Sequence, residues 1–398
     1  PFISPTETSQ QVVLPTDSII QTQCPEISTQ FTPGDFTKGI LVYDHGSALL
    51  NLQTGEKSSL DGGATISPAR DQVEIYTGDP NTLKPFLIVR KIGDPTPIEL
   101  QFPKGTINDL GWLDEERLLF QVESAVSPPY GLVTLNPFTG ETQQFSPQFP
   151  NLSPDDEYWY PLGPAVFDRT LDYVLYISQE AKAKTNQYVF WQISARKMLA
   201  SLPGSSYRWP ELVSGQGVEV DSVSHHPPAW SPDDTRVAVI SAAPQKSTGV
   251  DEIFALTKNG EIQRLTYFAK HYDKAKIRTL SWSPDGKSIA FWATLDPGPY
   301  PLEPHTDQNE RLAILNTETL DLTIYCISGD SFGLEHMTAN FIATEPPGPV
   351  WSPDGKQIVI ENRYTEKDGR TIILDIPGNT AVQIGQNLAP VGWMTGMP

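Results

Sequence analysis

The chain has 398 residues, 38% hydrophobic and 19% charged, enough apolar surface for a sizeable core. Its 37 prolines and 29 glycines exclude a mostly helical protein, because proline breaks helices and glycine weakens them. A formal net charge of −20, with 28 basic residues that form no long run, argues against a nucleic-acid surface and against an anionic membrane. No stretch approaches the roughly 18 consecutive apolar residues of a bilayer span.

Residues 1–37 read as an extended tail rich in Ser, Thr, Pro and Gln, without Lys or Arg. Its apolar residues Val12, Val13, Leu14, Ile19 and Ile20 are candidates to dock on a neighbouring surface. The chain starts at Pro1, so a processed or trimmed N-terminus is expected, with any signal peptide upstream. Cys24 follows "QTQ", which lacks the small residues of a lipoprotein cleavage site.

Residues 38–398 read as one unit of short strands and turns. "GILVYD", "ALLNLQ" and "EKSSL" are three strands that lack a first strand. "ISPARDQVEIY" from Ile66, "GWLDEERLLFQV" from Gly111 and "VFDRTLDYVLYI" from Val166 are degenerate copies of one phrase. The phrase is clearest in "WSPDDTRVAV" at Trp230, "WSPDGKSIAF" at Trp282 and "WSPDGKQIVI" at Trp351. Each copy is a strand ending in an aromatic, a Ser-Pro-Asp-Gly type I turn and a second strand. Two further strands follow, giving a four-stranded antiparallel meander in about fifty residues. "APVGWMTGMP" supplies a lone first strand with Trp393.

Four-stranded repeats of roughly 40 to 70 residues predict an all-β propeller. The C-terminal strand is expected to complete the three N-terminal strands, closing a ring without open sheet edges. Counting Ile66, Trp112, Phe167, Trp230, Trp282, Trp351 and the shared Trp393 unit gives seven blades. The count is six if the Phe167 region is an insertion. The aromatic anchor is expected to fill the gap between adjacent sheets.

The phrase "WSPDGK.IAF", with its "TG" turns and the ending Arg264-Leu265-Thr266, resembles the TolB-like (WD40-like) propeller repeat, also found in prolyl-oligopeptidase-type proteins. The resemblance spans about Gly39 to the C-terminus. It implies an extracytoplasmic protein that binds or scaffolds. A minority of such relatives are enzymes, among them oligogalacturonate lyases with a His-rich metal site on one face. No α/β-hydrolase pattern accompanies the repeats here, which argues against peptidase activity.

The short turns fall on one face of such a ring and the long connections on the other: 203–228, 266–276, 294–309 and 328–349. Binding residues concentrate on long loops over a rigid scaffold. All six histidines are expected on this face: His45, His225, His226, His271, His305 and His336. Either they bind a divalent metal, or histidine simply avoids strands; no close-spaced ligand motif is present. The same loops carry Tyr207, Trp209, Tyr267, Phe268, Tyr272 and Tyr300, which either contact a partner or pack the loops. "GDSFG" matches the G-x-S-x-G pattern at Ser331, but no α/β context surrounds it and a turn explains it better.

Cys326 lies in an outermost strand and Cys24 in the tail. They are either two thiols or a disulfide that pins the tail to the rim, worth roughly 4–5 kcal/mol by chain entropy. The sequence thus points to a non-catalytic, secreted or cell-surface propeller. It would engage a protein partner through its long-loop face and tail, with no required cofactor and no nucleic acid. The alternatives are a metal-dependent polysaccharide lyase or hydrolase using histidines of that face, and a subunit of a larger extracellular assembly.

Overall fold

The computed structural model describes residues 19–34, 38–43, 47–60, 63–68, 70–78, 85–91, 96–123, 130–145, 165–180, 185–204, 228–243, 249–296, 310–328, 348–362 and 369–395. These residues are almost entirely β. The tail forms β1 (Ile20–Gln23) and β2 (Ile27–Ser28). β3 (Gly39–Tyr43), β4 (Ala48–Asn51) and β5 (Lys57–Ser59) follow. Next come β6 (Gly63–Ile66), β7 (Gln72–Gly78), β8 (Pro85–Lys91) and β9 (Ile98–Gln101). β10 (Thr106–Trp112), β11 (Leu118–Glu123), β12 (Tyr130–Leu135) and β13 (Thr142–Phe145) form the next group. β14 (Val166–Phe167), β15 (Tyr173–Glu180), β16 (Thr185–Gln192) and β17 (Lys197–Pro203) contain the Phe167 phrase.

β18 (Ala229–Trp230), β19 (Arg236–Ala242), β20 (Asp251–Thr257) and β21 (Ile262–Arg264) precede a single 3-10 turn, Phe268–Lys270. β22 (Lys274–Trp282), β23 (Ser288–Asp296), β24 (Glu310–Asn316) and β25 (Leu322–Ser328) carry the Trp282 phrase. β26 (Val350–Trp351), β27 (Gln357–Asn362), β28 (Arg370–Asp375), β29 (Thr380–Gln386) and β30 (Gly392–Thr395) complete the described strands.

These strands form seven sheets. β6–β9, β10–β13, β14–β17 and β18–β21 are antiparallel meanders in chain order. β22–β25 and β26–β29 are too, each with one added tail strand on its outer edge. In the seventh, β30 pairs antiparallel with β3, placing Trp393 opposite Leu41, so the C-terminal strand completes the N-terminal trio. The stretch around Phe167 makes a sheet of its own.

Every neighbouring pair of sheets shares an apolar cluster, which is what closes the ring. Leu87 shares a cluster with Phe120, Leu119 with Leu171, and Phe190 with Val239. Ile240 does so with Phe291, Trp292 with Ile360, Val359 with Leu41, and Met394 with Ile66. The chain is an all-β propeller.

The repeated phrase has a local physical cause. The hydroxyls of Ser231, Ser283 and Ser352 donate to Asp233, Asp285 and Asp354 at 2.5, 2.6 and 2.7 Å. The same hydroxyls accept the backbone N–H of Arg236, Ser288 and Gln357 at 3.2, 2.9 and 2.9 Å. One serine thus satisfies both the turn and the first N–H of the next strand. The fourth turn position is left-handed, with φ of 69° at Gly286 and 70° at Gly355. Glycine adopts that conformation without steric cost.

The anchor tryptophan joins sheets. The indole N–H of Trp282 donates to the Ala229 carbonyl at 2.9 Å, and that of Trp351 to the Ser281 carbonyl at 3.0 Å. Trp230 reaches toward the Val166 carbonyl at 3.5 Å. Each acceptor lies on the first strand of the preceding sheet, next to its own anchor aromatic.

The tail runs along the rim. β1 pairs parallel with β25, from Ile20 opposite Leu322 to Gln23 opposite Tyr325, and β2 pairs parallel with β29. Ile20, Ile27 and Phe31 pack on the apolar clusters of three consecutive joints. Cys24 and Cys326 form a disulfide, with Cα atoms 4.7 Å apart. Among the described residues no helix is long and apolar enough to cross a membrane.

Candidate functional site

Of the loop residues singled out in the sequence, the structure describes Tyr267, Phe268, His271 and Tyr272. Tyr207, Trp209, His226, Tyr300, His305 and His336 lie outside the described residues, as do His45, His225 and Ser331. Tyr267, His271 and Tyr272 share one turn between β21 and β22, on the long-loop face.

That turn is built on a buried acid. Glu252, at the start of β20, is fully buried. Its carboxylate accepts from the Arg264 guanidinium at 2.6 Å and the Thr266 hydroxyl at 2.6 Å. It also accepts the backbone N–H groups of Phe268 at 3.0 Å and Ala269 at 2.8 Å. A buried carboxylate is tolerated only when paired in this way, and breaking it would cost several kcal/mol, about 3–5. The sequence "DEIFAL" gave no local sign of this role, since an acid at a strand edge usually faces water.

Two cations lie over the Tyr267 ring, the Arg264 guanidinium and the Lys270 ammonium, each 4.7 Å from its centre. Burial, and secondarily the nearby Glu252, hold its phenol proton above the ordinary tyrosine range against the pull of Arg264. Phe268 anchors the turn in the core at 5.8 Å from Tyr272 and 6.4 Å from Phe291. Lys270 and His271 are exposed and Tyr272 is half-buried. Tyr267 itself is buried, so it supports the surface and does not form it. Among the described residues no three His, Cys, Asp or Glu side chains come together as metal ligands.

On the opposite face the first strands surround a central cavity of about 720 Å³. Its wall includes Trp112, Trp230, Trp282, Trp351 and Trp393, with Arg70 and Arg169 at the turn end. Lys258 sits beside this mouth, its ammonium 2.8 Å from both Asp168 and Asp234. It also lies over the Tyr173 and Trp230 rings, at 5.1 and 5.3 Å. Burial opposes its charge, but the two carboxylates win and raise its proton affinity. Asp234 stands where other turns have glycine, at φ 58°. The sequence reading missed this cation, although the doubled aspartate in "WSPDDT" was its signal.

No protein-family profile matches the chain, and no curated protein matches it by sequence. Solved structures do. TolB from Acinetobacter baumannii is 14% identical over 88% of this chain and 78% of its own, with a TM-score of 0.40. An oligogalacturonate lyase in complex with manganese is 11% identical over 88% of this chain and 86% of its own, with a TM-score of 0.50. The acylaminoacyl peptidase of Pyrococcus horikoshii is 8% identical over 81% of this chain but 46% of its own, with a TM-score of 0.43. At such identities a likeness speaks for the fold alone, and in fold this chain is a β-propeller.

Proposed function

We propose that this protein is a non-catalytic binding propeller that works outside the cytoplasm and engages a protein partner through its long-loop face and N-terminal tail. The observation that carries this reading is the 267–272 turn. Glu252 fixes the turn's backbone at Phe268 and Ala269 from below, so Lys270, His271 and Tyr272 are presented on a backbone that needs little further ordering on binding. Tyrosine is among the residues that form the anchors of protein interfaces, which makes Tyr272 the anchor of this surface. The Cys24–Cys326 bond supports an oxidising compartment.

The test is isolation of the native complex with wild-type protein and with a variant carrying Lys270→Glu, His271→Ala and Tyr272→Ala. Under this reading the partner is recovered with the wild type, lost with the variant, and crosslinks to the long-loop face. Retention of the partner by the variant, or crosslinks confined to the other face, overturns it. Stoichiometric metal together with cleavage of an acidic polysaccharide would replace it with the enzymatic reading. A size measurement on native material separates a one-to-one complex from a larger assembly.

A further inference from the structure

Arg70 stands at the glycine position of its turn, aligned with Gly286 and Gly355, and adopts the same left-handed conformation at φ 60°. For a residue with a Cβ that conformation costs about 1–2 kcal/mol, which glycine would avoid. The cost brings a guanidinium to the turn end of the central cavity. There its Nη1 donates to the Trp351 carbonyl at 2.5 Å. Among the described residues this is the side chain's sole hydrogen bond, and no carboxylate pairs with it.

The neighbouring cations differ in this respect. Arg117 is paired with Asp114 at 2.5 Å, Arg169 with Glu115 at 3.3 Å, and Lys258 with two aspartates. Arg70 alone of these four keeps its charge unmatched while it is largely enclosed, and burial lowers its proton affinity. Enclosed charges are normally paired. A guanidinium has five donors in a planar fork that fits the two oxygens of a carboxylate. The wall beside it is indole, from Trp112, Trp351 and Trp393, and the volume suits a small organic ligand or the end of a peptide.

We propose that the turn-face mouth of the central cavity is a carboxylate-binding site, with Arg70 as the anion-binding residue and the tryptophan wall receiving an apolar body. The site lies on the face opposite the 267–272 turn, so it stands or falls separately from the partner-binding reading. The carboxylate comes either from a free small acid or from the C-terminus of a peptide.

The test uses the full chain and calorimetry with two probes. These are phenylacetate and a five-residue peptide ending in a free phenylalanine carboxylate, each beside its amide. The expected result is one-to-one binding of at least one acid, at least tenfold tighter than its amide and weakened by salt. Arg70→Gln removes the charge and the fork while keeping a polar amide, and is expected to lose at least tenfold in affinity. Lys197→Gln, an exposed cation away from the cavity, is expected to bind as the wild type does. Arg70→Lys, which keeps the charge but not the fork, is expected to fall between. Binding of the peptide alone identifies a protein terminus as the source; binding of phenylacetate alone identifies a small acid. Absence of binding by both acids, equal binding of acid and amide, or unchanged affinity in Arg70→Gln overturns the proposal. The acid-against-amide comparison needs no variant, so it decides even if Arg70→Gln does not fold.

Discussion

The joints at Trp282 and Trp351 and the seam at Trp393 solve one problem in two ways. In the regular sector each indole N–H finds the carbonyl of the preceding sheet, at 2.9 and 3.0 Å. At the seam the Trp393 N–H is buried without a hydrogen-bond partner among the described residues, and so is that of Trp112 two sheets on. The seam is tied instead by contacts between residues far apart in sequence. The Arg70 side chain reaches Trp351, and its carbonyl accepts the Thr395 N–H at 2.9 Å. The tail covers the rims of the two sheets that precede the seam. Joints between consecutive repeats can share one local device, whereas the joint where the two ends meet is held by parts that belong to no repeat.

The largest expected effect comes from cutting the tail's tie. Cys24→Ser with Cys326→Ser, or reduction, should lower stability by about 5 kcal/mol, because the bond joins cysteines 302 positions apart in the chain. Denaturant titration measures this, and hydrogen exchange should show protection lost first at residues 20–28. If protection falls first around Trp282, the tail does not guard the seam. Next, Gly39→Ala should cost about 1–3 kcal/mol by overpacking. An added Cβ would lie 2.6 Å from the Met394 carbonyl oxygen and would run into the Trp393 indole.

A smaller effect sharpens the contrast directly. Trp282→Phe removes the indole hydrogen bond to the Ala229 carbonyl, whereas Trp393→Phe removes none among the described residues. The first should therefore be the more destabilising, by about 1 kcal/mol in excess of the second. Equal losses would mean that the indole bond does not stabilise the regular joints.

The smallest effect is with pH. Burial works against the charge of Asp233, but hydrogen bonds from Ser231 and Thr235 and the Arg236 charge outweigh it and hold its proton affinity low. Burial likewise opposes Asp172, and bonds from Gln192 and Ser194 overcome it. A depressed carboxylate stabilises the folded state above its unfolded value, about 3.9, and loses that contribution as pH falls through the folded value. Amide exchange at Thr235, corrected for its intrinsic pH dependence, should therefore accelerate below about pH 4 and be insensitive between about pH 5 and 8.

How much of this was legible in the sequence follows from the range of each interaction. The Ser-Pro-Asp-Gly turn was readable because all its bonds lie within five residues. Closure was readable because "GWMT" lacked three strands and "GILVY" lacked one. The tail's register was not, because pairing of Ile20 with Leu322 is set by a rim that forms only once the sheet exists. The state of the cysteines was open for the same reason. Glu252 was invisible because its partners converge only through the fold. Arg70 was readable in principle: aligning "SPAR" with "SPDG" puts an arginine where glycine belongs.

The parallel docking of the tail has a further consequence for crowded or concentrated conditions. An outermost strand with free peptide groups is a template for another chain, and among the described residues two of the seven outer edges are already occupied by β1 and β2. On that flank an incoming extended segment meets a strand that is itself short and broken between Gln23 and Ile27. Self-association by strand addition would therefore be steered to the opposite flank of the disc.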